Sequence, residues 1–124
     1  MKENLIQIKS YAFSLRVVKL YKYLCEKKNE YVISKQIVRS GTSIGANIEE
    51  AIVAQSKKDF ISKISISYKE ARETYYWIRI IKDSGYISQK QGESLLADLE
   101  ELLKIMTVIL KSSKKQNPHW IIHF

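Results

Sequence analysis

The sequence predicts an all-α protein that folds as an antiparallel up-down-up-down four-helix bundle. Its 124 residues include one proline and four glycines and are 45% hydrophobic, a composition that disfavours both disorder and a turn-rich β architecture. Apolar residues recur at intervals of three and four along most of the chain, which is the period of an amphipathic helix. The connections between these periodic stretches are only a few residues long, and short connections favour antiparallel neighbours.

The periodic stretches fit a single domain over residues 1–124. We expect helices at about 3–28, 34–54, 57–83 and 89–112, followed by a C-terminal tail at 116–124. A chain of this length can bury a core without disulfides or metal. The sequence holds a single cysteine, no basic-then-apolar leader and no apolar run of about 18 residues, so we expect a cytoplasmic protein without a membrane partner.

The first predicted helix carries apolar residues on one side and cations on the other. The apolar series, which we expect to face the core, consists of Leu5, Ile8, Ala12, Leu15, Val18, Tyr21, Leu24 and Cys25. Lys2, Lys9 and Arg16 lie seven residues apart, and Lys19 and Lys22 continue this basic strip. Cations one or two helical turns apart can follow a phosphate backbone, although a strip of this kind can equally be solvated surface.

The second predicted helix, with Ser34 as its N-cap, holds two neighbouring stripes. The polar stripe consists of Gln36, Ser40, Ser43, Asn47 and Glu50. The apolar stripe beside it contains Gly41 and Gly45, and because each glycine costs about 1 kcal/mol of helix stability relative to alanine, we expect both to permit close approach of another backbone. The stripes are offset by about 100° around the helix, which places the polar row at a border of the core or at a helix–helix seam.

The third predicted helix offers both cations and partners for the polar stripe. Ser56 and Asp59 form a capping-box pattern ahead of the apolar series Phe60, Ile64, Tyr68, Ala71, Tyr75 and Ile78. The polar stripe can face solvent, line a subunit contact, or bond to this helix through Glu70, Arg72 or Glu73. Trp77 lies off the apolar series, where it suits a subunit contact.

The cations of the third helix extend the candidate nucleic-acid surface. Lys63, Lys69 and Arg72 are its members, alongside the basic strip of the first helix. The protein carries 21 Lys and Arg against 13 Asp and Glu, and residues 1–35 hold eight of the basic side chains against three acidic ones. An excess of this size suits nucleic acid, an anionic membrane surface or an acidic protein, and net charge alone does not choose between them.

The fourth predicted helix has the clearest heptad pattern. Ser88 and Gln91 form a second capping-box pattern ahead of the series Leu95, Leu99, Leu102, Met106 and Ile109. The tail that follows is apolar at Trp120 and its neighbours, and we expect it to dock on the bundle or on another subunit.

Signatures of catalysis, metal binding and nucleotide binding are absent from the sequence. Gly41 and Gly45 lie within a helix and offer no phosphate-binding loop. Cys25 falls on an apolar series and both histidines lie in the tail, so no Cys/His pair is evident. Glu70 and Glu73 have no histidine companion of the kind a di-iron bundle uses. We therefore expect a non-enzymatic protein without cofactors or metal.

Several segments together resemble a known family. They are Gln36-x-x-x-Ser40-x-x-Ser43-x-x-x-Asn47-x-x-Glu50-Ala51, Ser56-Lys-Lys-Asp-Phe60, Lys63-x-x-Ile66-x-x-Lys69-Glu-Ala-Arg-Glu-Thr-x-Tyr-Trp77, and Ser84-Gly-Tyr86. In combination, over residues 5–112, they resemble the bacterial 23S rRNA-intervening sequence proteins. The resemblance implies a four-helix bundle that assembles into a ring-like homopentamer, and it supplies no catalytic residues.

The same fold is similar to the accessory variability determinant of diversity-generating retroelements, a basic pentameric barrel that binds nucleic acid and a reverse transcriptase. One hypothesis is therefore a homopentamer that binds RNA or DNA electrostatically, without reading sequence. The alternative is a protein-interaction scaffold with no nucleic-acid role, whose partner could be a reverse transcriptase or another protein.

Overall fold

Residues 4–114, which the computed structural model describes, form four helices. They are α1 (Leu5–Lys28), α2 (Ile33–Ile52), α3 (Lys57–Asp83) and α4 (Gln89–Lys114). Helices adjacent in sequence pack together, α1 also packs on α4, and the diagonal pairs α1/α3 and α2/α4 bring no Cα atoms within 8 Å of each other. This is the predicted all-α, up-down-up-down bundle. Lys2 and the tail at 116–124 lie outside the described residues.

The two predicted capping patterns lie at the starts of α3 and α4. The Ser56 hydroxyl accepts a hydrogen bond from the Asp59 N–H at 3.0 Å. Ser88 and Gln91 bond reciprocally, since the Gln91 N–H donates to Ser88 Oγ at 3.0 Å and the Ser88 N–H donates to Gln91 Oε1 at 2.9 Å. These bonds satisfy N–H groups that have no partner within the helix, which explains why both helices begin where the pattern predicts.

The start of α2 differs from the prediction. Ser34 is not the N-cap, because the helix begins at Ile33 and buries Ser34 in its first turn. The Glu30 carboxylate caps the helix instead, accepting hydrogen bonds from the N–H groups of Val32, Ile33 and Ser34 at 3.3, 3.1 and 2.7 Å. Burial raises the pKa of Glu30, but these bonds to its charged form outweigh burial and lower the pKa overall.

Helix α1 is rotated relative to the prediction. Its buried residues are Ile6, Ser10, Phe13, Val17, Leu20 and Leu24. Of the apolar series expected in the core, Leu24 is buried, whereas Leu5, Ile8, Ala12, Leu15 and Val18 are exposed. The prediction of that core face was wrong because α1 has apolar residues on two sides, and helical periodicity alone does not say which side faces inward.

Close packing of α1 against α2 explains the observed rotation. A Cβ atom added at Gly41 would lie 2.8 Å from both γ-methyl groups of the buried Val17. At Gly45, an added Cβ would lie 3.2 Å from Ser14 Oγ and 3.5 Å from the carbonyl oxygen of Ser10. The backbone of α2 therefore approaches α1 through its two glycines, and only the side of α1 that carries Ser10, Ser14 and Val17 fits there.

Helices α2, α3 and α4 supply the rest of the core, with Ile37, Ile44 and Ile48 buried on α2. The heptad residues of α4 are buried as predicted, namely Leu95, Leu99, Leu102, Met106 and Ile109. In α3, Phe60, Ile64, Ala71 and Ile78 are buried, whereas Tyr68 and Tyr75 pack against the core from its edge. None of the four described helices combines the length and apolar character that a membrane crossing requires.

The contact between Gly41 and Val17 predicts the effect of adding one methyl group. Gly41→Ala should destabilise the protein by about 1 to 2 kcal/mol, because overpacking against the stiff Val17 side chain outweighs the gain in helix propensity. In a Val17→Ala background the same substitution should be neutral or stabilising. Chemical denaturation of the four proteins of this cycle measures the coupling, and an equal loss in both backgrounds would show that the glycine is not a contact point.

The Glu30 cap predicts a pH-dependent contribution to stability. Because the pKa of Glu30 is lower in the folded than in the unfolded state, its contribution is present above the unfolded pKa of about 4.3 and disappears as pH falls through the folded pKa. Glu30→Gln should therefore lower stability at pH 7, and this loss of stability should disappear as pH falls through the folded pKa. Glu26→Gln, at an exposed position one turn earlier, is the control and should show no such difference in denaturant midpoints.

Candidate functional site

The polar stripe of α2 lies along the seam with α3. Ser40 is fully buried, and its hydroxyl is hydrogen-bonded to that of Thr74 at 2.8 Å. One turn further along the seam, the buried Ser67 hydroxyl donates to the carbonyl oxygen of Ile44 at 2.8 Å. A shift of α3 along α2 would break both of these buried bonds, although the Thr74 hydroxyl would keep its bond to the Glu70 carbonyl of α3 at 2.7 Å.

An ionic cluster covers the outer edge of the same seam. The Arg39 guanidinium pairs with the carboxylates of Glu70, at 3.3 Å, and Glu73. Gln36 Oε1 accepts from the same guanidinium at 3.3 Å, and Trp77 Nε1–H donates to Glu73 at 3.0 Å. The predicted residues Gln36, Glu70, Glu73 and Trp77 are therefore brought together around Arg39.

The other members of the polar stripe behave differently. The Asn47 amide donates to the Ser43 carbonyl at 2.8 Å, a bond within α2 itself. Glu50 pairs with Lys63 of α3 at 3.1 Å, which uses a cation that the sequence suggested for nucleic acid. The predicted bond from the stripe to Arg72 does not form, because Arg72 lies on the opposite edge of α3, with its guanidinium 5.8 Å from the Tyr75 ring centre.

Sequence reasoning missed three members of this seam: Arg39, Ser67 and Thr74. Arg39 lies between two positions of the polar stripe rather than on it, and its carboxylate partners are 31 and 34 residues away. Ser67 and Thr74 lie at the helical spacing of the buried apolar residues of α3, although both carry a hydroxyl group. Their position on the core face could have indicated a seam, because a buried hydroxyl needs a hydrogen-bond partner.

Two cations of the basic strip on α1 are held by α4. Lys9 pairs with Glu101 at 2.8 Å, and Arg16 pairs with Asp98 at 2.6 Å. A second Arg16 nitrogen donates to the Ser94 hydroxyl at 3.1 Å. Of the neighbouring helix pairs, α1 and α4 have the least extensive contact, and these bonds link them. The same bonds partly neutralise the two cations. Lys19 and Lys22, in contrast, are exposed.

The outward side of α3 carries a different strip, which we call the α3 basic face: Lys69, Arg72, Tyr76 and Arg79. All four residues are exposed, and they recur at intervals of three and four, one side of a helix. Within the described part of the chain, none of the three cations pairs with a carboxylate. The Tyr76 ring contacts Trp77 edge to face, with centroids 5.1 Å apart.

The outward side of α1 is apolar over its first two-thirds. We call this the α1 apolar face: Leu5, Ile8, Tyr11, Leu15 and Val18, whose exposed fractions range from 37% to 66%. Because α1 and α3 are diagonal in the bundle, the two faces point in opposite directions. The exposed candidate cations, Lys19 and Lys22 on α1 and Lys69 and Arg72 on α3, therefore lie on opposite sides of the described bundle and do not form a single surface.

The described residues gather no group of three or more His, Cys, Asp or Glu side chains placed to hold a metal ion. Cys25 is half-buried, with its sulfur 3.7 Å from the Ser34 hydroxyl. His119 and His123 lie outside the described residues. The polar groups of the bundle are thus arranged in helix–helix seams and outward faces.

Known proteins share this architecture. A family model, 23S rRNA-intervening sequence protein, matches residues 2–108. A crystal structure of a protein of unknown function from the S23 ribosomal protein family of Bacteroides thetaiotaomicron is 48% identical to the chain, with a TM-score of 0.86, and the match covers 86% of this chain and 99% of that one. Among curated proteins no match is found. The chain belongs to the 23S rRNA-intervening sequence protein family.

Proposed function

We propose that this protein is a non-enzymatic homo-oligomer, a pentamer as the family resemblance implies, that binds RNA or DNA electrostatically as a cytoplasmic accessory factor. The observation that carries the nucleic-acid part is the α3 basic face. Its cations project from one side of a helix, have no acidic partner among the described residues and flank an exposed tyrosine. Such a face can neutralise phosphates and stack an unpaired base, and neither contact requires a particular sequence.

The geometry favours α3 over α1 as the nucleic-acid surface. Using Lys9 or Arg16 to neutralise a phosphate would compete with the Glu101 and Asp98 carboxylates that they already contact. Lys63 has the same disadvantage, since it pairs with Glu50. The cations of the α3 basic face involve no such competition, and their full charge is available to a polyanion.

A protein partner is the second candidate, and the aromatic pair on α3 favours it. Tyr76 is 54% exposed beside Trp77, and Trp, Tyr and Arg are the residues most enriched at the energetic centres of protein interfaces. The resemblance to the accessory variability determinant makes a reverse transcriptase one such partner. A partner protein that stays bound at high salt after nuclease treatment would support this candidate over RNA or DNA.

The nucleic-acid proposal predicts steeply salt-dependent binding that depends on α3. Single-stranded RNA of mixed sequence should bind the full chain, and the triple variant Lys69→Gln/Arg72→Gln/Arg79→Gln should bind about tenfold or more weakly at roughly 100 mM salt. For this variant, the slope of log affinity against log salt concentration should be shallower than for the wild-type protein by about 2, because three phosphate contacts are lost and each contributes about 0.7 for a single strand. Fluorescence anisotropy at several salt concentrations measures both quantities.

A matched variant separates the α3 basic face from general surface charge. Lys90→Gln/Lys104→Gln/Lys111→Gln removes the same three charges from exposed positions on α4, and it should lose much less affinity. Circular dichroism should show unchanged helix content in both variants. Equal losses in the two triple variants, or no RNA binding by the wild-type protein at low salt, would contradict the proposal.

A further inference from the structure

The α1 apolar face holds five of the large apolar side chains that the described bundle leaves exposed. Leu5, Ile8, Tyr11, Leu15 and Val18 lie on successive turns, so their side chains form one continuous patch. Exposed apolar residues are normal when scattered singly, but a contiguous patch along a helix is typical of an interaction surface. The packing at Gly41 fixes the rotation that exposes this patch, so the bundle cannot bury it by turning α1.

The charged residues beside the patch are satisfied within the same protomer. On the α4 side, Lys9 and Arg16 pair with Glu101 and Asp98. On the α2 side, the Gln7 amide donates to the Glu49 carboxylate at 2.8 Å. Covering the patch would therefore leave Lys9 and Arg16 ion-paired and the Glu49 carboxylate hydrogen-bonded to the Gln7 amide. An apolar centre with a hydrogen-bonded polar border has the anatomy of a protein interface.

A groove runs along one border of the patch. It lies between α1 and α2, encloses about 500 Å³, and has Tyr11 and Glu49 on its walls. The small residues Ser10, Ser14 and Gly45 line it, and a groove of this volume can receive an apolar side chain of a facing helix. The patch and the groove together supply both the protruding and the receiving elements of a helix–helix contact.

We propose that the α1 apolar face is the surface through which a second copy of this chain docks. This inference rests on the homo-oligomer of the proposed function and names its contact surface. A second copy suits the patch because each copy offers both elements, the protruding side chains and the groove of small residues. Lys19 and Lys22 lie just beyond the patch on the same side of α1, so their repulsion disfavours a contact that extends along the whole helix.

The test is the mass of the full chain in solution. Sedimentation velocity and light scattering should show an oligomer for the wild-type protein. The variant Ile8→Glu/Leu15→Glu, which places two carboxylates in the patch, should have the mass of a single chain at the same concentration. Both positions are exposed in the protomer, so circular dichroism should show the same helix content and the variant remains interpretable.

A control variant places the same charges elsewhere. Val32→Glu/Val53→Glu changes two apolar residues that are more exposed than those of the patch, in the connections at opposite ends of α2, and it should keep the wild-type mass. Deletion of residues 115–124 tests the tail as the alternative occupant, and the shortened chain should also keep the oligomeric mass.

Three results would overturn the proposal. An Ile8→Glu/Leu15→Glu variant with the wild-type oligomeric mass would place the contact elsewhere and leave the proposed homo-oligomer intact. A monomeric wild-type protein would contradict both the proposed contact and the proposed homo-oligomer. RNA binding through α3 is tested separately, by the anisotropy measurement. A monomer that associates only after deletion of residues 115–124 would assign the patch to the tail.

Discussion

The contact between Val17 of α1 and Gly41 of α2 is the constraint on which the surface of this bundle depends. A side chain at position 41 would overlap both γ-methyl groups of Val17, so α2 accepts α1 only in one rotation about its axis. In that rotation Phe13 and Leu24 point into the core with Val17. The second apolar side of α1 is consequently directed away from the bundle, where none of the residues at 4–114 covers it.

The same rotation leaves the proposed assembly surface on α1 and the proposed nucleic-acid surface on α3. It turns Lys9 and Arg16 toward the carboxylates of α4, which makes them part of the bundle and the border of an apolar patch. The seam between α2 and α3, with Ser40 bonded to Thr74, holds α3 in register and directs the α3 basic face outward on the far side. The proposed assembly surface and the proposed nucleic-acid surface therefore lie back to back, so one subunit can use both at once.

The sequence allowed the helices, their capping boxes and the core of α4 to be predicted, because each depends on residues within about one or two turns of one another. The rotation of α1 could not be predicted in the same way. Two of its sides are apolar, and the choice between them depends on Val17 meeting a glycine on another helix. The carboxylate partners of Arg39 and Arg16 are likewise 31 or more residues away, so these ion pairs became visible only in the folded chain.

Two tyrosines of similar exposure have different proposed roles: Tyr11 on α1, 66% exposed, lies in the proposed subunit contact, and Tyr76 on α3, 54% exposed, lies on the proposed RNA surface. Hydroxyl-radical footprinting with mass spectrometry, on the full chain with and without single-stranded RNA, compares them directly. Tyr11 should be less reactive toward hydroxyl radicals in the wild-type protein than in the Ile8→Glu/Leu15→Glu variant, with or without RNA. Tyr76 should become less reactive only when RNA is added. RNA-dependent protection of Tyr11 with Tyr76 unchanged would contradict the account, as would a Tyr11 equally reactive in both proteins.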